Sequence, residues 1–244
     1  MSKIYEALQN VYREKKQGGG ETVRESPVPF ACLQLARLGF EDEMLRLYKV
    51  VETLLPHHDS RIVQFISARE GEGTSTISRE FAKVAADLIG HSVLLVDADR
   101  LNQSQDRFFG LRGGMDWVEA LKSGKNIEES FQRAGQSRLF VSGCSNSSVS
   151  TPEIFNSAFE RMCEKLRVSF ELVLIDSAPL AISPDGLAIA SKVDGVVLMV
   201  EAEKSRWQTT KRLRDSITRV GGNILGVVLN KRRFYIPPSI YRYL

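Results

Sequence analysis

Apolar positions fall into two rhythms along the chain. Up to about residue 56 they recur at helical spacing. Ile4, Leu8, Val11 and Tyr12 share one face of a helix over 2–15, and a second amphipathic helix fits Glu41–Leu55, ended by Pro56. Between them, Lys16–Pro29 holds a Gly-Gly-Gly run, prolines and charges, and reads as a flexible linker. From residue 62 onward, short Val/Ile/Leu runs alternate with helical stretches. Strands are expected at 62–67, 92–97, 138–142, 171–176, 194–200 and 224–229. Helices are expected at about 75–89, 115–122, 152–168, 184–191 and 205–220. Thr151 reads as the N-cap of the helix at 152–168 and Pro152 as its first residue. Nearly continuous apolar strands separated by helices predict an α/β fold, with a mostly parallel sheet covered on both faces.

Composition narrows the class without naming a function. The 244 residues suit one α/β domain with appendages. With 43% hydrophobic and 26% charged residues, the chain is too apolar for a disordered one. Its longest apolar run, Gly195–Val200, falls far short of the roughly 18 residues of a membrane span. The opening MSKIYEALQN mixes charges with apolar side chains, unlike a secretory leader. Cys32, Cys144 and Cys163 are scattered and odd in number, which points to a reducing cytosol rather than a disulfide framework. His57, His58 and His91 are too few to build a metal site. Net charge is +3, yet Lys204–Leu244 holds ten basic residues and one acid, leaving the first 203 residues six charges negative. That basic end suits a membrane surface, nucleic acid or an acidic partner, or is simply a solvated helix face and tail.

Three segments carry the candidate chemistry. The turn after the first core strand reads Ser67-Ala-Arg-Glu-Gly-Glu-Gly-Thr-Ser-Thr76. Strand, glycine-rich turn and helix form the context of a phosphate-binding loop, in which Gly71 and Gly73 turn successive N–H groups inward and the helix N-terminus adds its positive end. Ser75 or Thr76 would offer a hydroxyl to Mg²⁺. The motif wants Lys immediately before that serine, and this chain has Thr74. A turn that only lets helix pack on strand is the alternative. The runs SVLLVDADR and FELVLIDSAP end strands on Asp97, Asp99 and Asp176. Acids there lie at the sheet edge where open α/β folds bind ligands, and oxygen donors of this kind suit Mg²⁺. A lone acid in that place can instead cap the next helix.

GEGTST, LLVDADR, LVLIDSAP, VDGVVLMVEAEKS and ILGVVLNK, in that order, resemble the cytoplasmic domain of bacterial tyrosine kinases of capsular and exopolysaccharide systems. The similarity spans about residues 40–244. It implies a P-loop three-layer sandwich, ATP/ADP and Mg²⁺ as cofactors, and kinship with partition and septum-site ATPases. Carried over by position, the resemblance gives Gly71, Glu72, Gly73, Thr74, Ser75 and Thr76 to the nucleotide phosphates and Asn230 to adenine. Asp97 becomes the base that takes the tyrosine proton, with Asp99 beside it. Ser75, Asp97, Asp99 and Asp176 make the metal shell. Glu43, Arg46 and Lys49 resemble the family's Glu-x-x-Arg-x-x-Arg helix that packs subunits into a ring, although the last residue departs from the pattern. Tyr235, Tyr241 and Tyr243 resemble its autophosphorylated tail, or else pack on the domain. Arg100 follows Asp99 one residue earlier than the family's arginine and receives no role.

The expected organisation is an N-terminal helix and linker over 1–29, a kinase-like domain over 30–234 and a basic tyrosine tail over 235–244. The missing lysine removes a point charge from the phosphates, at a cost of at least about 10²-fold in rate, and Thr74 cannot replace it. Arg69, five residues upstream, stands where partition-type ATPases carry a second lysine and is the candidate rescue. Three readings follow: an active or weakly active tyrosine kinase of polysaccharide assembly, a pseudokinase scaffold, or a partition-type ATPase that binds DNA or membrane. The resemblance implies a membrane polysaccharide co-polymerase or adaptor as partner, a homo-oligomeric ring, and a cytoplasmic site at the inner membrane face. Nucleic acid is not an expected partner. The N-terminal helix could dock on the fold, on a partner's tail or on lipid.

Overall fold

The computed structural model describes residues 31–34, 40–56, 59–111, 114–144 and 150–232. The N-terminal helix and linker and the tail tyrosines Tyr235, Tyr241 and Tyr243 lie outside these residues. The chain runs β1 (Ala31–Gln34), α1 (Phe40–Leu54), β2 (Arg61–Ser67), α2 (Thr74–Val84), β3 (Val93–Ala98), α3 (Ser104–Phe109) and α4 (Trp117–Ser123). It continues through β4 (Gln132–Arg133), β5 (Leu139–Ser142), α5 (Thr151–Ile154), α6 (Ser157–Ser169), β6 (Leu172–Ser177), α7 (Asp185–Ala190), β7 (Gly195–Glu201), α8 (Trp207–Arg219) and β8 (Ile224–Asn230). The sheet order is β1-β8-β7-β2-β6-β3-β5-β4. Every neighbouring pair is parallel except β4 with β5. The parallel sheet covered on both faces that the apolar runs predict is therefore present.

Alternation along the strands assigns the faces, because successive side chains point to opposite sides. Val63, Phe65, Val93, Leu95 and Leu174 pack under α1 and α2 with Met44, Leu47, Phe81 and Ala82. Ile62, Leu94, Val96, Val173 and Ile175 face the other way, toward Trp117, Ile154, Phe155 and Phe159. Ile66, Val196 and Leu198 continue that second layer onto Leu213 and Ile217 of α8. The period of two then puts Asp97 and Asp176 on the α2 side.

Several boundaries differ from the sequence reading, each for a local reason. The helix expected over 75–89 starts one residue earlier and ends in a π-helical turn, Ala85–Ile89, stopped by left-handed Gly90. The helix expected over 152–168 is two. Ser150, rather than Thr151, is its cap, with Glu153 closing a capping box, and Asn156 caps a second start by accepting from the Ala158 N–H. Helix α3 and strands β1 and β4 were not expected, being four or six residues or fewer in length and without a clear apolar rhythm. Among the described residues no helix is long and apolar enough to cross a membrane.

Candidate functional site

The site forms where β2, β3, β6 and β8 end. Ser67 closes β2, and the chain turns through left-handed Gly71 (φ 81°) and Gly73 (φ 94°) into α2. Gly73 is required for a second reason: a Cβ there would come within 2.1 Å of the Asn230 Nδ2. The Asn230 amide donates to the Glu72 carbonyl at 3.0 Å, so the end of β8 abuts the loop. Glu72 braces the turn from inside. Its carboxylate accepts the N–H groups of Ala68 (2.9 Å) and Arg69 (3.0 Å) and the Ser205 hydroxyl. The Glu72 side chain, placed at the nucleotide from the motif, is thus spent on shaping the loop.

Thr74 is the first residue of α2 and is 7% exposed, a neutral and buried side chain at the lysine position. Ser75 is half-buried, while Thr76 and Arg69 are exposed. A cation that sequence reasoning missed stands at the rim. The Lys231 ammonium donates to the Gly71 carbonyl at 2.5 Å and lies 3.5 Å from Glu201, on a backbone of positive φ.

Asp97 and Asp176 are register partners on β3 and β6 and are both fully buried beneath the start of α2. Asp97 accepts the Asp99 N–H (3.0 Å) and the Gln105 N–H (3.1 Å), and its own carbonyl accepts from the Trp117 indole at 2.8 Å. Burial pushes the Asp97 carboxyl well above its usual range, and the charge of Asp176 adds to that; the two N–H donors only partly oppose it. Asp176 is raised by burial too, against the Gln105 amide and the Ser75 hydroxyl. Asp99 is raised by burial, and its carboxylate accepts from the Leu101 and Asn102 N–H groups. Among the described residues no three His, Cys, Asp or Glu side chains stand as a ready metal shell. The expected trio is instead a facing pair, Asp97 and Asp176, with Asp99 turned to cap its own loop.

The pair still suits a hard cation. Asp176 Oδ1 is buried with no hydrogen-bond partner. The nearby donors are carboxylate and hydroxyl oxygens, and Mg²⁺ usually takes one or two protein carboxylates with waters and phosphate oxygens. Gln105, on the unexpected α3, and Arg79, on α2, complete the surroundings. No spacing signal in the sequence marks either. Arg100, left without a role, pairs with buried Asp185 at 2.7 Å. On α1, Glu43 is buried, whereas Arg46 and Lys49 are exposed, with Lys49 paired to Glu52 at 2.9 Å.

No family model matches the chain. Individual relatives do. The tyrosine-protein kinase CpsD of Streptococcus agalactiae is 29% identical over 71% of this chain and 76% of its own length. The succinoglycan biosynthesis transport protein ExoP of Rhizobium meliloti is 28% identical over 74% of this chain, a match that spans 23% of that longer protein. Among solved structures, the VpsO kinase domain superposes with a TM-score of 0.66 at 27% identity, covering 80% of this chain and all of that one. The chimerical protein CapA2B2 gives 0.75 at 20% identity over 85% of this chain and 96% of that one. The septum site-determining protein MinD of Pyrococcus horikoshii, complexed with Mg-ADP, gives 0.61 at 18% identity over 75% of this chain and 76% of that one, a likeness of fold.

Proposed function

We propose that this chain, which is similar to bacterial tyrosine kinases of polysaccharide-assembly systems, binds ATP with Mg²⁺ at the Gly71–Ser75 loop and acts as a tyrosine-kinase-like component of capsular or exopolysaccharide biosynthesis. The observation that carries this reading is the buried Asp97, facing Asp176 directly below the loop. A carboxyl raised by burial is basic enough to accept the proton of an incoming tyrosine hydroxyl, the role of general base. The loop N–H groups and the α2 N-terminus hold the phosphates, and Asn230 borders the adenine side. Ser75, Asp97 and Asp176 would hold Mg²⁺, which neutralises phosphate charge when bound. The substrate tyrosines are Tyr235, Tyr241 and Tyr243, the partner is a membrane polysaccharide co-polymerase or adaptor at the cytoplasmic face, and Glu43, Arg46 and Lys49 serve a subunit ring.

Thr74 favours a second reading, a nucleotide-holding scaffold without phosphoryl transfer, because the side chain at the lysine position itself is neutral. Calorimetry with Mg-ATP, followed by mass spectrometry of the tail, separates the two. Binding together with tail phosphate that vanishes in Asp97→Asn supports the kinase, and binding without phosphate supports the scaffold. Absence of binding at millimolar nucleotide overturns the nucleotide reading altogether.

A further inference from the structure

Helix α3 is an unusual neighbour for a metal site. It has six residues, too few to be helical alone, and its N-cap makes no side-chain hydrogen bond. Phe108 is 52% exposed, and Gln105 is the one residue of the helix that is completely buried. That glutamine reaches both acids of the site. Its main-chain N–H donates to Asp97 Oδ2 at 3.1 Å, and its Nε2 donates to Asp176 Oδ2 at 2.7 Å and to the Ser75 carbonyl at 2.9 Å. An amide N–H aimed at Asp176 presents partial positive charge to that carboxylate, as a cation would.

Arg79 supports it from α2. Four residues after Ser75, it lies one turn further along the same helix face, and helical side chains lean toward the N-terminus. Its Nη1 donates to Gln105 Oε1 at 3.5 Å, and its guanidinium carbon stacks 3.7 Å from the centre of the Phe108 ring. Arg79 also pulls the Asp176 carboxyl downward by its charge. On the docked α3, the buried Ser104 Oγ and Asp106 Oδ1 make no hydrogen bond. An element held by one glutamine, one stacked ring and a partly buried Phe109, at that cost, is one that a competing ligand can displace.

We propose that Gln105, backed by Arg79, is a positioning residue that fills the metal position of the nucleotide site, so that Mg²⁺ and helix α3 compete for Asp97 and Asp176. The inference rests on the nucleotide reading above. It gives the protein a built-in coupling: loading Mg-nucleotide releases α3 and exposes Phe109 and the guanidinium of Arg79 beside the phosphates.

The test is calorimetry of ADP binding in Mg²⁺ and in EDTA, for the natural sequence and for Gln105→Ala, with near-ultraviolet circular dichroism as the folding control. Truncating the amide removes the donor that competes at Asp176 while the main-chain N–H to Asp97 stays, and the ratio of affinities with and without Mg²⁺ rises roughly tenfold, the worth of a hydrogen bond to a charged group. Gln105→Asn, with a shorter amide, gives an intermediate rise. A ratio unchanged or lowered in folded Gln105→Ala overturns the proposal. Hydrogen exchange on the unaltered protein is an independent arm. Saturating Mg-ADP speeds exchange in 104–109, while ADP in EDTA does not, and equal protection in both arms also overturns it. If neither protein binds ADP under any condition, the nucleotide reading fails and this inference with it. Binding with no dependence on Gln105 defeats the inference alone.

Discussion

The two edges of the sheet handle acidic side chains in opposite ways. At the N-terminal edge Asp194 and Glu171 are both matched. Asp194 receives both Arg167 nitrogens at 2.7 Å and the Ile62 N–H at 2.7 Å, tying α6, β2 and β7 together. Glu171 accepts the Ser92 N–H at 2.7 Å and pairs with His91 Nδ1 at 2.8 Å, while His91 Nε2 meets the Tyr48 hydroxyl of α1 at 2.6 Å. The Ser92 N–H, and after it His91, hold the Glu171 carboxyl below its usual range. At the C-terminal edge Asp97 and Asp176 face one another, both are pushed upward, and one oxygen of Asp176 has no partner. One edge fastens the domain and the other keeps charge under-satisfied, which is what a site that needs a cation or a proton requires.

Thr74 offers the largest test of that difference. Thr74→Lys restores the missing charge at the functional edge, and the expected gain in Mg-ATP-dependent tail phosphorylation is at least about 100-fold. A rate that stays at background in a protein that binds ATP would mean that the loop lysine is not what the site lacks.

On the fastening edge, Asp194→Ala strands Arg167 and frees the Ile62 N–H. About 3 kcal/mol of unfolding free energy should be lost in urea titration. A loss below about 1 kcal/mol would show that Arg167 finds water readily and that this edge is no clamp.

The smallest effect is also the most diagnostic, because its sign differs between the edges. Asp97 has a folded-state pKa above its unfolded one, so its favourable contribution is full below the unfolded value and is lost as pH rises through the folded one. Asp97→Asn removes this pH dependence, so the stability of the variant relative to the natural protein should rise from pH 4 toward pH 7. Glu171 is depressed, so its contribution is present above the unfolded value and is lost as pH falls. Glu171→Gln should accordingly be the less stable protein at pH 7, converging with the natural one on acidification. Melting temperatures across pH 4–8 check both, and shifts of the same sign at the two edges would erase the contrast.

The legible part of the site follows from periodicity. VLLVDA and LVLIDS are alternating strands whose last acids must share a face once the strands are parallel neighbours, and Gly71 and Gly73 announce a turn of positive φ. Glu72 was legible as part of the motif, yet its direction was not, because whether an acid faces phosphate or its own loop depends on Ser205 from β7's far side. Asp99 was legible as an acid at a strand end, and only the turn at 99–102 shows that it caps that loop.

By itself, then, the sequence determined what nearest-neighbour chemistry controls: strand and helix order, the phosphate-type turn, the buried acids and the absent lysine. Tertiary structure alone decided which side chains meet across the edge. Gln105 touches Asp176 seventy-one residues away, Lys231 reaches Gly71 across one hundred and sixty, and Asn230 excludes a side chain at Gly73. The physical reason is that such contacts depend on strand order and on the docking of a six-residue helix, and neither leaves a periodic trace in the residues that take part.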